Sequence, residues 1–346
     1  MPNLTIGSDE PGWYPMTGLT TYGVDLAKST MHIFGMAGDK VVYDSNLSRE
    51  RALLYFAKQH SSVIVMEACG GSNWWVQKLS SMGHSVKLIS PQFVKPFASR
   101  QKNDRNDARA VLEASLRPKV RTLRGKTQEQ QDLQALLKVR QSVIAERVAV
   151  GNQIEALLLE YGVVLKRQQK LIEVLEDDSN DLTEIAREIL KERYDYKKNL
   201  IEKEKLYSKR IESILDKSEI AKKLMKMKGV GPVITAAFIS TISHPEDFRC
   251  GRQVSAYLGL VPRQVSSGRT VKLLGITKTG NSHLRQALVH GARSWVQSCK
   301  AKSKLEDQDT DTKWINELVV KKPYNVASVA IANKMARRMW ATMRYA

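Results

Sequence analysis

Residues 19–44 read LTTYGVDLAKSTMHIFGMAGDKVVYD, three β-type runs (LTTYGVDLA, TMHIFGMAG and a short KVVYD) with polar breaks between them. Working outward, a helix is predicted from about Arg49 to Gln59, and SSVIVMEA (61–68) reads as a buried apolar strand. NWWVQKLSSMG (73–83) is helical and HSVKLIS (84–90) is a further strand. Three strands, a helix, a strand, a helix and a strand predict an α/β sheet. Trp74 and Trp75 lie in an amphipathic helix, so core packing of at least one is expected, and neither is given a functional role.

Two carboxylates stand where such a sheet exposes its strand ends: Asp25 after YGV and Glu67 after VIVM. A carboxylate at the end of an apolar strand is poorly solvated unless something positive accompanies it. Two more follow in SRQKNDRNDARA (99–110), where Asp104 and Asp107 are three apart and share one helix face. Arg105 and Arg109 point elsewhere, and Ala108 leaves room for close packing. Any one of these acids alone reads sooner as a helix cap or a surface salt bridge than as a ligand. The ordered set of four, on the expected elements, reads instead as hard oxygen ligands for Mg²⁺ or Mn²⁺.

The chain has 346 residues, 55 Lys+Arg against 36 Asp+Glu, and a net charge of +19. Its length suggests two domains, with or without a connector. No run of 18 apolar residues occurs, which excludes a membrane span. Residues 1–18 form a leader with neither a basic start nor an apolar core, so it does not read as a secretory signal. Three cysteines, far apart, form neither a disulfide framework nor a zinc pair. The expected location is the cytoplasm, and the expected partner a polyanion, nucleic acid foremost.

The charge is uneven. Residues 93–126 carry ten bases and three acids; residues 127–228 carry twenty and nineteen; residues 249–305 carry eleven bases and no acid at all. A stretch of 57 residues without a carboxylate reads as a surface facing phosphates. The near-neutral middle reads as a long helical, coiled-coil-like connector. Leu133, Leu137, Ile144, Val148, Ile154 and Leu158 form one apolar face; Ile185, Ile189, Leu200, Tyr207, Ile211 and Ile214 form another. Breaks are expected at Gly162 and in the acidic run 177–181, and Arg140, Arg147 and Gly151 fall on the seam. A dimerising hairpin and a plain intramolecular bundle both fit this periodicity.

Further on, KGVGP places Gly229 and Gly231 between two predicted helices, the pattern of a helix-hairpin-helix whose backbone N–H groups can hold a phosphate. Downstream, a loop is expected to hold Ser266, Ser267 and Gly268 among the bases Arg263, Arg269, Lys272 and Lys278, before a helix near His283 and Arg285. No His–Asp pair beside the serines is evident to activate one of them, so composition favours phosphate binding there.

Taken together, GVDLAKS, VMEACGGS, KNDRNDARA, KGVGP, SAYLGLVPRQVSSG and ITKTGNSHLRQAL resemble the DEDD transposases of bridge-RNA-guided insertion sequences, from about residue 20 to residue 300. The resemblance implies a RuvC-like, ribonuclease-H-type N-terminal domain (19–126), a helical connector for oligomerisation (127–222) and a mainly helical C-terminal transposase domain (223–346). It implies that Asp25, Glu67, Asp104 and Asp107 bind the metal and that Ser267 is the nucleophile, with Ser266 an ambiguity. It further implies cutting and rejoining of donor and target double-stranded DNA through a phosphoserine. A structured non-coding guide RNA, a homo-oligomer (dimer or tetramer) and a nucleoid-associated place in a bacterial or archaeal cytoplasm complete the expectation. A Holliday-junction-type nuclease using water is the alternative, and a binding protein with a degenerate domain a third.

Overall fold

The computed structural model describes residues 19–98, 103–118, 120–166, 169–267, 270–301 and 309–346. The chain divides into two compact units, one reaching to Thr127 and one starting at Gln128.

The first unit is a mixed α/β sheet domain, consistent with the RuvC-like expectation. Strands β1 (Thr21–Leu26), β2 (Thr30–Ala37) and β3 (Lys40–Ser48) form an antiparallel meander. Helix α1 (Arg49–Ala57) leads to β4 (Val63–Glu67), then α2 (Ser72–Ser81) to β5 (Ser85–Ile89). Strands β4 and β5 run parallel to β1, so the helices serve as crossovers. A short helix α3 (Pro91–Val94), the helix α4 (Asp104–Ser115) and a two-residue strand β6 (Thr122–Leu123) complete the unit, with sheet order β3-β2-β1-β4-β5-β6.

Strand alternation sorts this sheet into two dry faces. Tyr22, Val24, Met31, Ile33, Ile64 and Met66 pack with Ala52 and Phe56 of α1 and with Trp75, Val76 and Leu79 of α2. Trp75 is 1% exposed and Trp74 37%, so the first of the two is the core residue. Arg49 lies over both rings, 4.9 and 5.0 Å from their centroids. On the opposite face α4 covers β1: Phe34 packs with Ala108 and Leu112, and Val65 and Ile89 with Ala110, Val111 and Ala114.

The second unit is mainly helical. Helices α5 (Gln128–Glu160) and α7 (Glu184–Leu215) pack together, joined through the short α6 (Leu171–Leu175). At 33 residues α5 spans about 50 Å. The pair is antiparallel, since Arg140 meets Ser208 while Gly151 faces Lys197. Gly162 does stand just past the end of α5 with φ +70°, and 177–181 lies between α6 and α7. The buried stripe departs from the expected one: Val148, Ile185 and Ile189 are exposed, while Val143, Val150, Ala186 and Leu190 are buried. The seam is partly polar, which displaces the apolar stripe. Glu204 of α7 bridges Arg147 at 3.0 Å and Arg140 at 3.4 Å.

Beyond the pair come α8 (Glu219–Met225), α9 (Pro232–Thr241) and α10 (Gly251–Tyr257). Strands β7 (Pro262–Ser267) and β8 (Thr270–Ile276) form a hairpin, followed by α11 (Ser282–Ala301), α12 (Thr310–Lys321) and α13 (Tyr324–Arg344). Phe238, Val254, Leu288, Trp295, Ile315, Ile331 and Met335 belong to one core shared by α9 to α13. α5 and α7 pack onto α9, so the connector joins this unit. Among the described residues no helix is long and apolar enough to cross a membrane.

Candidate active site

The four acids arise from three elements that the sheet brings to one edge. β1 and β4 are parallel neighbours whose register runs to Val24↔Met66, and Asp25 and Glu67 each follow the last paired residue. Carboxyl ends of adjacent parallel strands are where open α/β sheets place their ligands. α4 begins with Asn103, whose Oδ1 accepts from the Asn106 backbone N–H at 2.8 Å, and its first turn carries Asp104 and Asp107. The helix crosses β1 at Gly23, where an added Cβ would stand 2.3 Å from the Ala108 carbonyl oxygen and 2.7 Å from Leu112 Cβ. Gly23 and Asp25 are two apart on the strand and share a face, so this crossing directs the first turn of α4 toward Asp25.

Electrostatics report the same convergence. The Asp25 carboxyl is held above its ordinary range, by burial first and then by the charges of Asp107 and Asp104. Burial raises the Cys69 thiol, and so do Glu67 and Asp25, which places that side chain in the field of both acids. Among the described residues no group of three or more His, Cys, Asp or Glu stands ready to hold a metal ion. The acids thus form a cluster of like charge without a closed cage. Its donors are hard oxygens, and the charge that burdens Asp25 is what a divalent cation would neutralise, so the residues fit Mg²⁺ or Mn²⁺.

Two groups beside this cluster carried no motif. His32 faces Asp25 across the β1–β2 ladder, and its charge draws the Asp25 carboxyl down against the dominant upward influences. His32 Nε2 lies 2.8 Å from Asp44 Oδ1, and Arg105 Nε donates to Asp44 Oδ2 at 2.6 Å. Burial opposes the charge on Asp44, but these two partners outweigh it and hold the carboxyl below its usual range. Arg109 pairs along its own helix with Glu113 at 2.8 Å.

In the second unit, the expected serine loop is a β-hairpin. Its first strand is exposed at every residue, so it shows no burial pattern to betray it in sequence. Ser267 pairs with Thr270, Ser266 with Val271, Val265 with Lys272 and Gln264 with Leu273. Side chains alternate along a strand, so Ser267 shares a face with Val265 and Lys272, while Ser266 shares the other with Gln264, Val271 and Leu273. Gln264 Nε2 donates to Ser266 Oγ at 2.8 Å. Arg263, Lys272 and Lys278 are exposed; Gly268 and Arg269 lie outside the described residues. Arg285 braces the backbone, with Nη1 donating to the Thr279 carbonyl at 2.6 Å and to the Leu258 carbonyl at 3.1 Å.

Gly229 has φ +76°, and a Cβ there would meet the Gly291 carbonyl oxygen of α11 at 2.6 Å, so close helix approach accounts for it. Gly231 is the N-cap of α9 with open space around it. His283 Nδ1 is 2.6 Å from Gln141 Nε2, which ties α11 to α5.

The model of a family described as "DEDD_Tnp_IS110: Transposase" matches residues 22–163, covering all four acids. A second, "Transposase IS116/IS110/IS902 family", matches residues 221–307, covering Gly229, Gly231 and the serine hairpin. The chain is 37% identical over 334 residues to the transposase for insertion sequence element IS1111A of Coxiella burnetii, covering 95% of this chain and 90% of that one. The chain belongs to the IS116/IS110/IS902 transposase family. A probable family 20 transposase of Pseudomonas aeruginosa is 34% identical over 94% of this chain and 97% of its own. The transposase for insertion sequence element IS1328 of Yersinia enterocolitica is 32% identical over the same shares. This transposase is accordingly an enzyme of the class that cuts and rejoins DNA. The match across the acid-bearing unit aligns with nuclease-type chemistry there.

Proposed function

We propose that the transposase cleaves and rejoins double-stranded DNA at the ends of its insertion sequence with Ser267 as nucleophile, supported by a divalent cation on Asp25, Glu67, Asp104 and Asp107. The observation that carries the metal half is the crowding of Asp104 and Asp107 on Asp25 at the end of β1. A bound Mg²⁺ or Mn²⁺ would supply Lewis-acid charge to a phosphate oxygen there.

The Ser267 hydroxyl gives up its proton and its oxygen attacks the scissile phosphorus. The bond from phosphorus to the deoxyribose oxygen breaks, that oxygen takes a proton as the strand's new hydroxyl, and the DNA stays linked as a phosphoserine. Attack by a hydroxyl of the exchanged strand reverses the step and frees the serine. Lys272, on the same hairpin face, supports charge on the attacked phosphate, and Arg263, Arg269 and Lys278 hold the backbone nearby. Gly229 and Gly231, in a helix-hairpin-helix, add phosphate contacts, with Arg285 bracing the turn behind the hairpin. Residues 19–126, 127–222 and 223–346 serve as catalytic-acid, connecting and serine-bearing segments. The α5–α7 pair serves a dimer or tetramer as a coiled-coil-like element. A structured guide RNA selects donor and target, which suits a chain rich in phosphate-directed charge.

The test incubates the transposase with DNA spanning its element ends, the neighbouring non-coding RNA and Mg²⁺. A denaturation-resistant DNA adduct that maps to Ser267 and disappears in Ser267→Ala is the expected result. Undiminished cleavage by that variant overturns the assignment and leaves a resolvase-like enzyme using water, or Ser266.

A further inference from the structure

We infer that His32, Asp44 and Arg105 form a positioning chain that clamps the acid-bearing first turn of α4 over the end of β1. This rests on the metal reading of the four acids given above.

The chain is continuous across three elements and begins beside a fourth. His32 on β2 stands opposite Asp25 on β1, and opposed residues of an antiparallel pair share a face. His32 and Asp44 are diagonal neighbours on that face, since His32 pairs with Asn46 and Phe34 with Asp44. Each oxygen of the Asp44 carboxylate has its own partner: His32 Nε2 at 2.8 Å on Oδ1, and Arg105 Nε and Nη2, each at 2.6 Å, on Oδ2. Arg105 sits in the first turn of α4 between Asp104 and Asp107.

A cation at that place is otherwise unfavourable, because the N-terminal end of a helix carries partial positive charge. Asp44 reverses the balance. The side chain of Arg105 is 67% exposed, so it adds little to the core; its contribution is to direction. The apolar packing of α4 on the sheet begins at Ala108, against Gly23 and Phe34, and runs on to Ala114, so it leaves the acid-bearing first turn outside the core. Arg105–Asp44 adds a contact one turn nearer the N-terminus than that packing, and it sets where Asp104 and Asp107 aim. Arg109, paired within its own helix, cannot do this. The His32–Asp44 bond fixes the carboxylate that receives the guanidinium, so the chain begins beside the very acid it serves.

The test is Mn²⁺ binding by the full-length transposase, read by electron paramagnetic resonance of the free ion, beside thermal melting. Arg105→Gln and Asp44→Asn should each weaken Mn²⁺ binding about tenfold, and the double variant no further than either single one. Arg105→Gln should melt with the parent, which separates positioning from folding even if Asp44→Asn melts lower. Single variants within twofold of the parent, or losses that add in the double variant, overturn the clamp. Asp25→Asn supplies the reference. If it loses Mn²⁺ while Arg105→Gln and Asp44→Asn keep it, the clamp alone fails. If it binds like the parent, or the parent binds none, the metal reading fails and takes the clamp with it.

Discussion

Gly23 and Ala108 meet backbone to backbone: a Cβ on the glycine would stand 2.3 Å from the alanine carbonyl oxygen. No side chain separates α4 from β1 at that point, and the alanine itself is fully buried. Gly23→Ala should therefore lift the helix, lower stability by about 1–3 kcal/mol and carry Asp104 and Asp107 away from Asp25. Urea denaturation measures the first effect and DNA cleavage the second. A variant with full stability and full cleavage would show that α4 does not depend on this crossing.

Asp25 gives a prediction whose size depends on pH. Its folded carboxyl sits above the ordinary value, so the folded chain takes up the proton at higher pH than the unfolded chain does. The charged form is a penalty fully present at neutral pH and relieved as pH falls through the raised folded value. In a chelating buffer, Asp25→Asn should raise the melting temperature by a few degrees at pH 7, and the gain should shrink in acid. Added Mg²⁺ should stabilise the parent and leave the variant unmoved. A variant that melts below its parent at pH 7 without metal contradicts the like-charge account.

Glu204 stands against two guanidinium groups, Arg147 at 3.0 Å and Arg140 at 3.4 Å, on the seam between α5 and α7. Glu204→Gln leaves two half-buried cations without their counter-charge. A loss of about 1–3 kcal/mol is expected, measured by chemical denaturation, and helical content of the native state should hold. Glu204→Ala with unchanged midpoint would mean solvent already serves both arginines.

The two glycines of KGVGP should separate. Gly229→Ala meets both a left-handed backbone and the Gly291 carbonyl, and should destabilise by about 2–4 kcal/mol. Gly231→Ala meets open space and alters only a helix cap, for about 0.5–1 kcal/mol. Thermal melts rank the two. If Gly231→Ala folds well yet binds DNA more weakly, the helix-hairpin-helix reading of the turn gains direct support.

The N-terminal sheet is legible in the sequence because its strands are buried: apolar runs such as Ile64, Val65 and Met66 have no other use. Asp25 and Glu67 are legible because they follow apolar strand runs, and Asp104 and Asp107 because they stand three apart in a helical stretch. His32 and Asp44 are not, since neither belongs to a motif and their partnership arises from strand register and the crossing angle of α4. The hairpin β7–β8 escapes a sequence reading for the opposite reason to the sheet's success. Val265, Val271 and Leu273 are exposed, so no inside–outside alternation marks them as strands. In the connector, Arg140 and Arg147 do lie on the seam, as their spacing suggests. With charge occupying part of that seam, apolar periodicity alone assigns Val148, Ile185 and Ile189 to the wrong side.

Two adjacent serines in a loop would be nearly interchangeable; in a strand they are not. The pairing of Ser267 with Thr270 and Val265 with Lys272 gives one hydroxyl a lysine for company, and the other Val271 and Leu273. Which serine meets the lysine is therefore written in the hairpin's alignment as much as in the serines themselves. Hairpin register is set by its turn, so removing a single residue between Ser267 and Thr270 would exchange the two hydroxyls between sides. A deletion there that leaves both serines intact would then turn Ser267 away from Lys272.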